Sequence, residues 1–106
     1  NSSLNNQFCF CQSDDAPKLL PPSTPPSLPS SFSTPISIVE MKSWMCNCLG
    51  RWGYLRLHRS GSFGRDLWFF PAEVRQRDVS GYTWQDGQRF KVTYRYKQIS
   101  NFMCFA

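Results

Sequence analysis

Two stretches decide the fold: Trp52-Gly53-Tyr54-Leu55-Arg56-Leu57 and Asp66-Leu67-Trp68-Phe69-Phe70. Side chains of a β-strand alternate between its two faces, so each stretch presents two different sets of side chains, one on each face. One face is apolar and predicts a core, formed by Leu55, Leu57, Leu67 and Phe69. The opposite face carries rings where a soluble strand usually places polar groups, namely Trp52, Tyr54, Trp68 and Phe70, with Arg56 among them.

The sequence around these stretches predicts an all-β domain, a small five-stranded antiparallel barrel over residues 38–106. The strands are predicted at residues 36–45, 52–57, 66–70 and 88–96, with residues 98–106 supplying the fifth. Phe90 and Val92 of the fourth strand are expected to point into the core. Pro71 is expected to end the third strand because proline cannot donate to a ladder. One helical turn is predicted over residues 72–78, and turns at Ser80-Gly81 and Asp86-Gly87.

Residues 1–37 are predicted to be a disordered tail or linker rich in proline and serine. Proline recurs every few positions between Pro17 and Pro29, which prevents helix and sheet from propagating. We interpret this stretch as a spacer, and a docking site for a protein partner at the P-x-x-P spacing of Pro22 and Pro25 is the alternative.

The charge of the chain indicates a polyanionic partner. The formal net charge is +5, and all but one of the 12 Lys and Arg residues lie after residue 40. Exposed rings beside cations are what single-stranded RNA or DNA needs, because bases stack on the rings and cations follow the phosphates. Two alternatives stay open: a merely basic soluble domain, and a second core in which the tail or a partner protein covers the rings.

The five cysteines do not form a regular disulfide framework or a zinc-ribbon spacing. We expect reduced thiols in a cytoplasmic, or else nuclear, protein. A zinc site built from the two C-x-C pairs is a weaker alternative, so no metal or cofactor is predicted. His58, the single histidine, is interpreted as a surface residue. No run of about 18 apolar residues predicts a membrane span.

Four motifs in order resemble the cold-shock domain family, over residues 41–97. Trp52-Gly53-Tyr54-Leu55 resembles its first ribonucleoprotein motif and residues 66–70 its second; Ala72-Glu73-Val74 and residues 87–92 are similar to the segments that follow. The resemblance implies a five-stranded OB-type barrel without enzyme activity that binds single-stranded RNA or DNA across strands two and three. Arg51 departs from the pattern by replacing a glycine.

The resemblance and the charge together give a predicted binding site. Trp52, Tyr54 and Trp68 match the family's stacking rings, and Phe70 stands where the family has a stacking histidine. Lys42 and Trp44 correspond, with a one-residue slip, to residues of the family's first strand. The candidate cations for the phosphates are Lys42, Arg56, Arg59, Arg65 and Lys91. Two alternatives are a protein-interaction barrel that uses the ring face, and an accessory OB domain of a larger RNA helicase or ribonuclease.

Overall fold

The computed structural model describes residues 9–13 and 15–105, and it is mostly β. The elements in chain order are β1 (Cys9–Gln12), a 3-10 turn (Ser30–Ser33), α1 (Ile38–Cys46), β2 (Gly53–Gly61), β3 (Gly64–Arg75), β4 (Asp78–Gln85), β5 (Gln88–Arg95), a second 3-10 turn (Tyr96–Gln98) and β6 (Ile99–Cys104). The predicted strands two, three, four and five are confirmed as β2, β3, β5 and β6, which contain or largely overlap the predicted residues.

The strands pair antiparallel in the order β5-β4-β3-β2-β6, with β1 added to β3. β3 is shared between two sheets, because residues 66–69 pair with β2 whereas residues 70–74 pair with β4. Within the described residues, β5 and β6 are the two ends of this order, and the sheet does not close on itself. The six strands therefore form a bent antiparallel sheet. The predicted closed barrel is not confirmed.

The predicted first strand is wrong, because residues 38–46 form the helix α1. The Ser37 side chain accepts a hydrogen bond from the Glu40 backbone N–H at 3.1 Å, which caps the helix. Met41 and Met45 lie four residues apart and are both buried, so one side of the helix packs on the core. The S-x-x-E spacing of Ser37 and Glu40 is a helix-start signal that the strand prediction overlooked.

β3 continues through Pro71, so the predictions that this proline ends the strand and that a helical turn follows are wrong. Pro71 is buried and pairs with Gly81, next to a register shift between Pro71 and Glu73. A bulge is one of the few sheet positions that tolerate proline. The predicted Ser80-Gly81 turn is also wrong, because both residues lie inside β4.

The Asp86-Gly87 turn is confirmed as the connection between β4 and β5. Asp86 has φ of 52° and Gly87 has φ of 77°. Positive φ at both central residues is the geometry of a two-residue type I′ hairpin, whose twist matches the flanking strands.

The core lies between the inner face of the sheet and α1. All four residues predicted for it from the β2 and β3 pattern are buried: Leu55, Leu57, Leu67 and Phe69. Phe90 is an exception to the prediction, because it is 37% exposed and packs on Phe63 with ring centroids 5.2 Å apart. Val92 is half-buried against the core.

Residues 15–35, predicted as part of a disordered tail, instead lie along the sheet; we call them the strap. Outside the 3-10 turn the strap has no regular hydrogen-bonded structure. Its Phe32 is only 1% exposed, and β1 before it pairs with residues 73–75 of β3. Burial of such anchors offsets the entropy that would otherwise leave a proline-rich chain unfolded. Residues 1–8 of the predicted tail lie outside the described residues.

Candidate functional site

The rings predicted to share one face of β2 and β3 do share it. Tyr54 pairs with Trp68 across the two strands, and their ring centroids are 5.1 Å apart. Trp52 and Phe70 lie beside them, edge to face at 5.3 Å. Edge-to-face contacts at such distances are a favourable arrangement of aromatic side chains.

The same face extends onto β4, which the prediction missed. Phe70 pairs with Tyr82, so Tyr82 and, two residues on, Trp84 point to the same side as Phe70. We call this surface of β2, β3 and β4 the outer face. The signal was the alternation of Tyr82 and Trp84, which was hidden by interpreting Ser80-Gly81 as a turn.

The strap covers the half of the outer face nearest β2. The indole Nε1 of Trp52 donates a hydrogen bond to the Leu19 carbonyl at 3.0 Å. The Phe32 ring lies 6.5 Å from the Tyr54 ring and 5.0 Å from the Arg56 guanidinium, centroid to carbon. Phe32 therefore sits between an aromatic ring and a cation.

The far end of the strap is held by Asn101 of β6. Its Nδ2 donates to the carbonyls of Phe32 and Thr34, at 3.2 and 2.8 Å. Asn101 is itself 2% exposed, so these bonds satisfy a side-chain amide that would otherwise be costly to bury.

Burial corrects the expectation that all four predicted rings are exposed. Trp52, Tyr54 and Phe70 are 5%, 6% and 5% exposed, because the strap lies over them. The structure therefore agrees with the alternative hypothesis stated above, in which the rings form a second core that the N-terminal tail covers. Burial, followed by the nearby Asp66 carboxylate, also raises the pKa of the Tyr54 hydroxyl.

The half of the outer face nearest β5 is more open. Trp68, Tyr82 and Trp84 are half-buried there. Across β4 and β5, Trp84 pairs with Arg89 and Tyr82 with Lys91, and both cations are exposed. We call these five residues the open section: Trp68, Tyr82, Trp84, Arg89 and Lys91.

Arg89 joins the open section to the strap. Its guanidinium carbon lies 5.5 Å from the centroid of the Tyr82 ring, and its Nη1 donates to the Pro17 carbonyl at 3.4 Å. The Nζ of Lys91 lies 3.9 Å from the Glu73 carboxylate, and this exposed pair is expected to be weak.

A cavity of about 190 Å³ lies at the edge of the open section, between Trp68 and Trp84. Asp66, Thr83 and Gln85 also line it. The Nε1 of Trp84 is enclosed and has no hydrogen-bond partner among the described residues. An enclosed donor without a partner costs about 1–3 kcal/mol, so this indole gains from any acceptor it can reach.

The other predicted cations do not gather at the open section. Lys42 lies on α1 with its Nζ 5.4 Å from the Tyr96 ring, and Trp44 is 37% exposed on the same helix. Because α1 packs against the inner side of the sheet, these two residues are separated from the predicted rings.

Arg56, Arg59 and Arg65 lie towards the hairpin that joins β2 to β3. Arg56 forms a two-bond ion pair with Asp66, at 2.9 and 3.0 Å, and this partner raises the pKa of the guanidinium. Arg65 Nε donates to the Leu57 carbonyl at 3.1 Å, and Arg59 is exposed. Arg65 is exposed as well, so both of these cations face solvent near the hairpin.

Two disulfides correct the expectation of reduced thiols. Cys11 is bonded to Cys46 and Cys48 to Cys104, each with Cα atoms 5.7 Å apart. Sequence spacing failed here because the partners are 35 and 56 residues apart and meet only in the fold. Three of the four cysteines in the two C-x-C pairs, Cys11, Cys46 and Cys48, are therefore in disulfides, and the pairs do not form a zinc-ligand set. Cytoplasmic or nuclear localisation stays a prediction and loses this support, since disulfides persist mainly in oxidising compartments.

Comparison with known proteins adds no family assignment. No protein-family model matches the chain, and neither a curated protein nor a solved structure matches it. In residues 9–13 and 15–105, no cluster of three or more His, Cys, Asp or Glu could hold a metal ion. The same residues contain no helix with the length and apolar character needed to cross a bilayer. The cold-shock resemblance therefore rests on the sequence motifs alone.

Proposed function

We propose that the domain binds single-stranded nucleic acid along the open section of the outer face. The observation that carries this proposal is the pairing of half-exposed rings on β4 with exposed cations directly opposite on β5. Trp84 and Tyr82 would stack on bases, at roughly 1–3 kcal/mol per base, while Arg89 and Lys91 would contact phosphates. The rings buried by the strap are not needed for this mode.

A salt titration tests the proposal. Quenching of tryptophan fluorescence by pyrimidine RNA and DNA oligomers should give an affinity that falls as salt rises, because binding releases counterions. Replacing Arg89 and Lys91 together with Ala should make the negative slope of log K against log salt shallower by about 1.4, since each single-strand phosphate contact contributes about 0.7 to its magnitude.

The matched control removes two exposed cations elsewhere, Arg77→Ala with Lys97→Ala. Arg77 and Lys97 line a separate groove with Arg95 and Tyr96, away from the open section. The control should keep the wild-type slope. Equal slopes for both double variants, or the absence of quenching by either oligomer, would show that the open section does not bind nucleic acid.

A second candidate function is recognition of an extended proline-rich polypeptide. The strap itself favours it, because its backbone is held by the indole N–H of Trp52 beside Phe70, and aromatic grooves with such donors receive proline-rich chains in several protein modules. A synthetic peptide of residues 15–35 should then bind a Phe32→Ala variant at high salt. Binding of that peptide only at low salt would contradict this candidate, because apolar contact is not screened.

We also propose that the fold is related to OB-type barrels. The support is β3, which bends from one sheet into another as strands of small barrels do, together with the four sequence motifs. The helix at residues 38–46 takes the place of the family's first strand, and this is the largest departure.

A further inference from the structure

We propose that the Cys11–Cys46 disulfide is a redox latch that holds the strap over the outer face. A small dithiol that reduces this bond would release residues 15–29, which precede the 3-10 turn and which we call the first half of the strap. Their release would uncover Trp52 and Phe70. The opening itself does not depend on nucleic-acid binding; only its consequence for ligands rests on the proposed function.

The position of the disulfide makes it a latch. Cys11 lies in β1, immediately before the strap, and Cys46 is the last residue of α1. The bond closes a loop of chain that contains the whole strap. Apart from this bond, the described part of β1 pairs with β3 at Cys9, Cys11 and Gln12, with a register shift, and Ser13 N donates to the Ala72 carbonyl at 2.7 Å.

The first half of the strap has few other attachments. Its described side-chain hydrogen bonds to the sheet are the two from Trp52 to the Leu19 carbonyl and from Arg89 to the Pro17 carbonyl. Pro17 is buried, but Leu19 and Leu20 are 79% and 62% exposed. A segment with so little burial is expected to open at low free-energy cost once its tether is cut.

The second half of the strap provides the hinge. Phe32 is buried and its carbonyl is bound by Asn101, so this end stays on the sheet after reduction. Phe32 would continue to cover Tyr54. The latch therefore exposes one part of the outer face, Trp52 with Phe70, and leaves the other part closed.

Access favours reduction of this bond over the other disulfide. Both sulfur-bearing residues of this bond, Cys11 and Cys46, are half-buried, whereas in the other bond Cys104 is half-buried and Cys48 is completely buried. Thiol–disulfide exchange requires a thiolate to reach a sulfur atom. One thiolate of the dithiol attacks a sulfur of the Cys11–Cys46 bond and forms a mixed disulfide. Its second thiol then displaces the protein sulfur, so two electrons and two protons end on Cys11 and Cys46 and the dithiol becomes a cyclic disulfide.

The experiment titrates the full chain with dithiothreitol, followed by alkylation and peptide mass spectrometry. We expect Cys11 and Cys46 to be alkylated at a reductant concentration at least tenfold below that needed for Cys48 and Cys104. At that point, amide hydrogen exchange in residues 15–29 should accelerate at least tenfold, while exchange in β2, β4 and β5 stays within twofold. Quenching of tryptophan emission by acrylamide should rise, and a Trp52→Phe variant should abolish most of that rise.

The double variant Cys11→Ser with Cys46→Ser provides a reductant-free check. It should show the same exchange pattern as the partly reduced protein. Earlier reduction of Cys48–Cys104, unchanged exchange in residues 15–29 after selective reduction, or global unfolding of the double variant would each overturn the latch. A failed oligonucleotide titration in both redox states, with the exchange pattern as expected, would reject the proposed function and leave the latch intact.

Discussion

Replacing Phe32 with alanine should destabilise the protein by about 3–5 kcal/mol, the usual cost of truncating a buried phenylalanine. The wild-type side chain is 1% exposed and lies between the Tyr54 ring and the Arg56 guanidinium. Its removal loses the transfer free energy of the ring, about 1.5–3 kcal/mol, and leaves a cavity beside Tyr54. The lost contact with the cation adds about 0.5–1 kcal/mol, so these two terms give about 2–4 kcal/mol and the cavity accounts for the rest of the expected cost.

Urea unfolding of the oxidised protein measures this cost. With a slope near 2 kcal/mol per molar urea, the midpoint should fall by on the order of 2 M. Leu19→Ala is the matched control, because Leu19 is an apolar residue of the same strap that is 79% exposed, and it should change stability by less than about 0.5 kcal/mol. If Phe32→Ala is as mild as the control, Phe32 does not anchor the strap and the account of a covered outer face fails.

Three further perturbations test the fold and its ionisable groups. Ser37→Ala should cost about 1 kcal/mol in urea unfolding by removing the α1 cap, whereas Ser43→Ala within the helix should cost less. Gly81→Ala should lower the thermal midpoint sharply, because its Cβ would collide with the Phe70 carbonyl, whereas Gly61→Ala has room; equal midpoints would contradict this packing. Burial raises the pKa of Tyr94 above 10, so the unfolded state ionises first and stability should fall as pH rises above 10 towards the folded pKa; Tyr94→Phe should flatten that fall in alkaline urea titrations.

The sequence was a good guide wherever alternation decided the structure. Leu55 and Phe69 were assigned to the core and Tyr54 and Trp68 to the opposite face, because period-two patterning survives into any sheet that buries one side. The Asp86-Gly87 turn was equally local, since its two residues alone satisfy the backbone geometry.

The remainder depended on contacts between distant parts of the chain. The strand sequences could not show which residues cover the outer face. Rings that face solvent and rings that lie under the strap occur at the same alternating positions in the sequence. The pairing of Cys11 with Cys46 was hidden for the same reason. The helix at residues 38–46 was a different kind of failure, because its signals were local: Ser37 and Glu40 at capping spacing, and buried Met41 and Met45 one turn apart.

The two disulfides meet on one short segment, Cys46-Asn47-Cys48, and this has a mechanical consequence. Tension applied between Cys11 and Cys104 would run through both sulfur bridges and those three residues, a path of about 20 Å. After complete reduction, the same two points could separate to about 320 Å along the extended chain. The oxidised domain should therefore behave under load as a short inextensible link, with the strap and the central strands bearing no force.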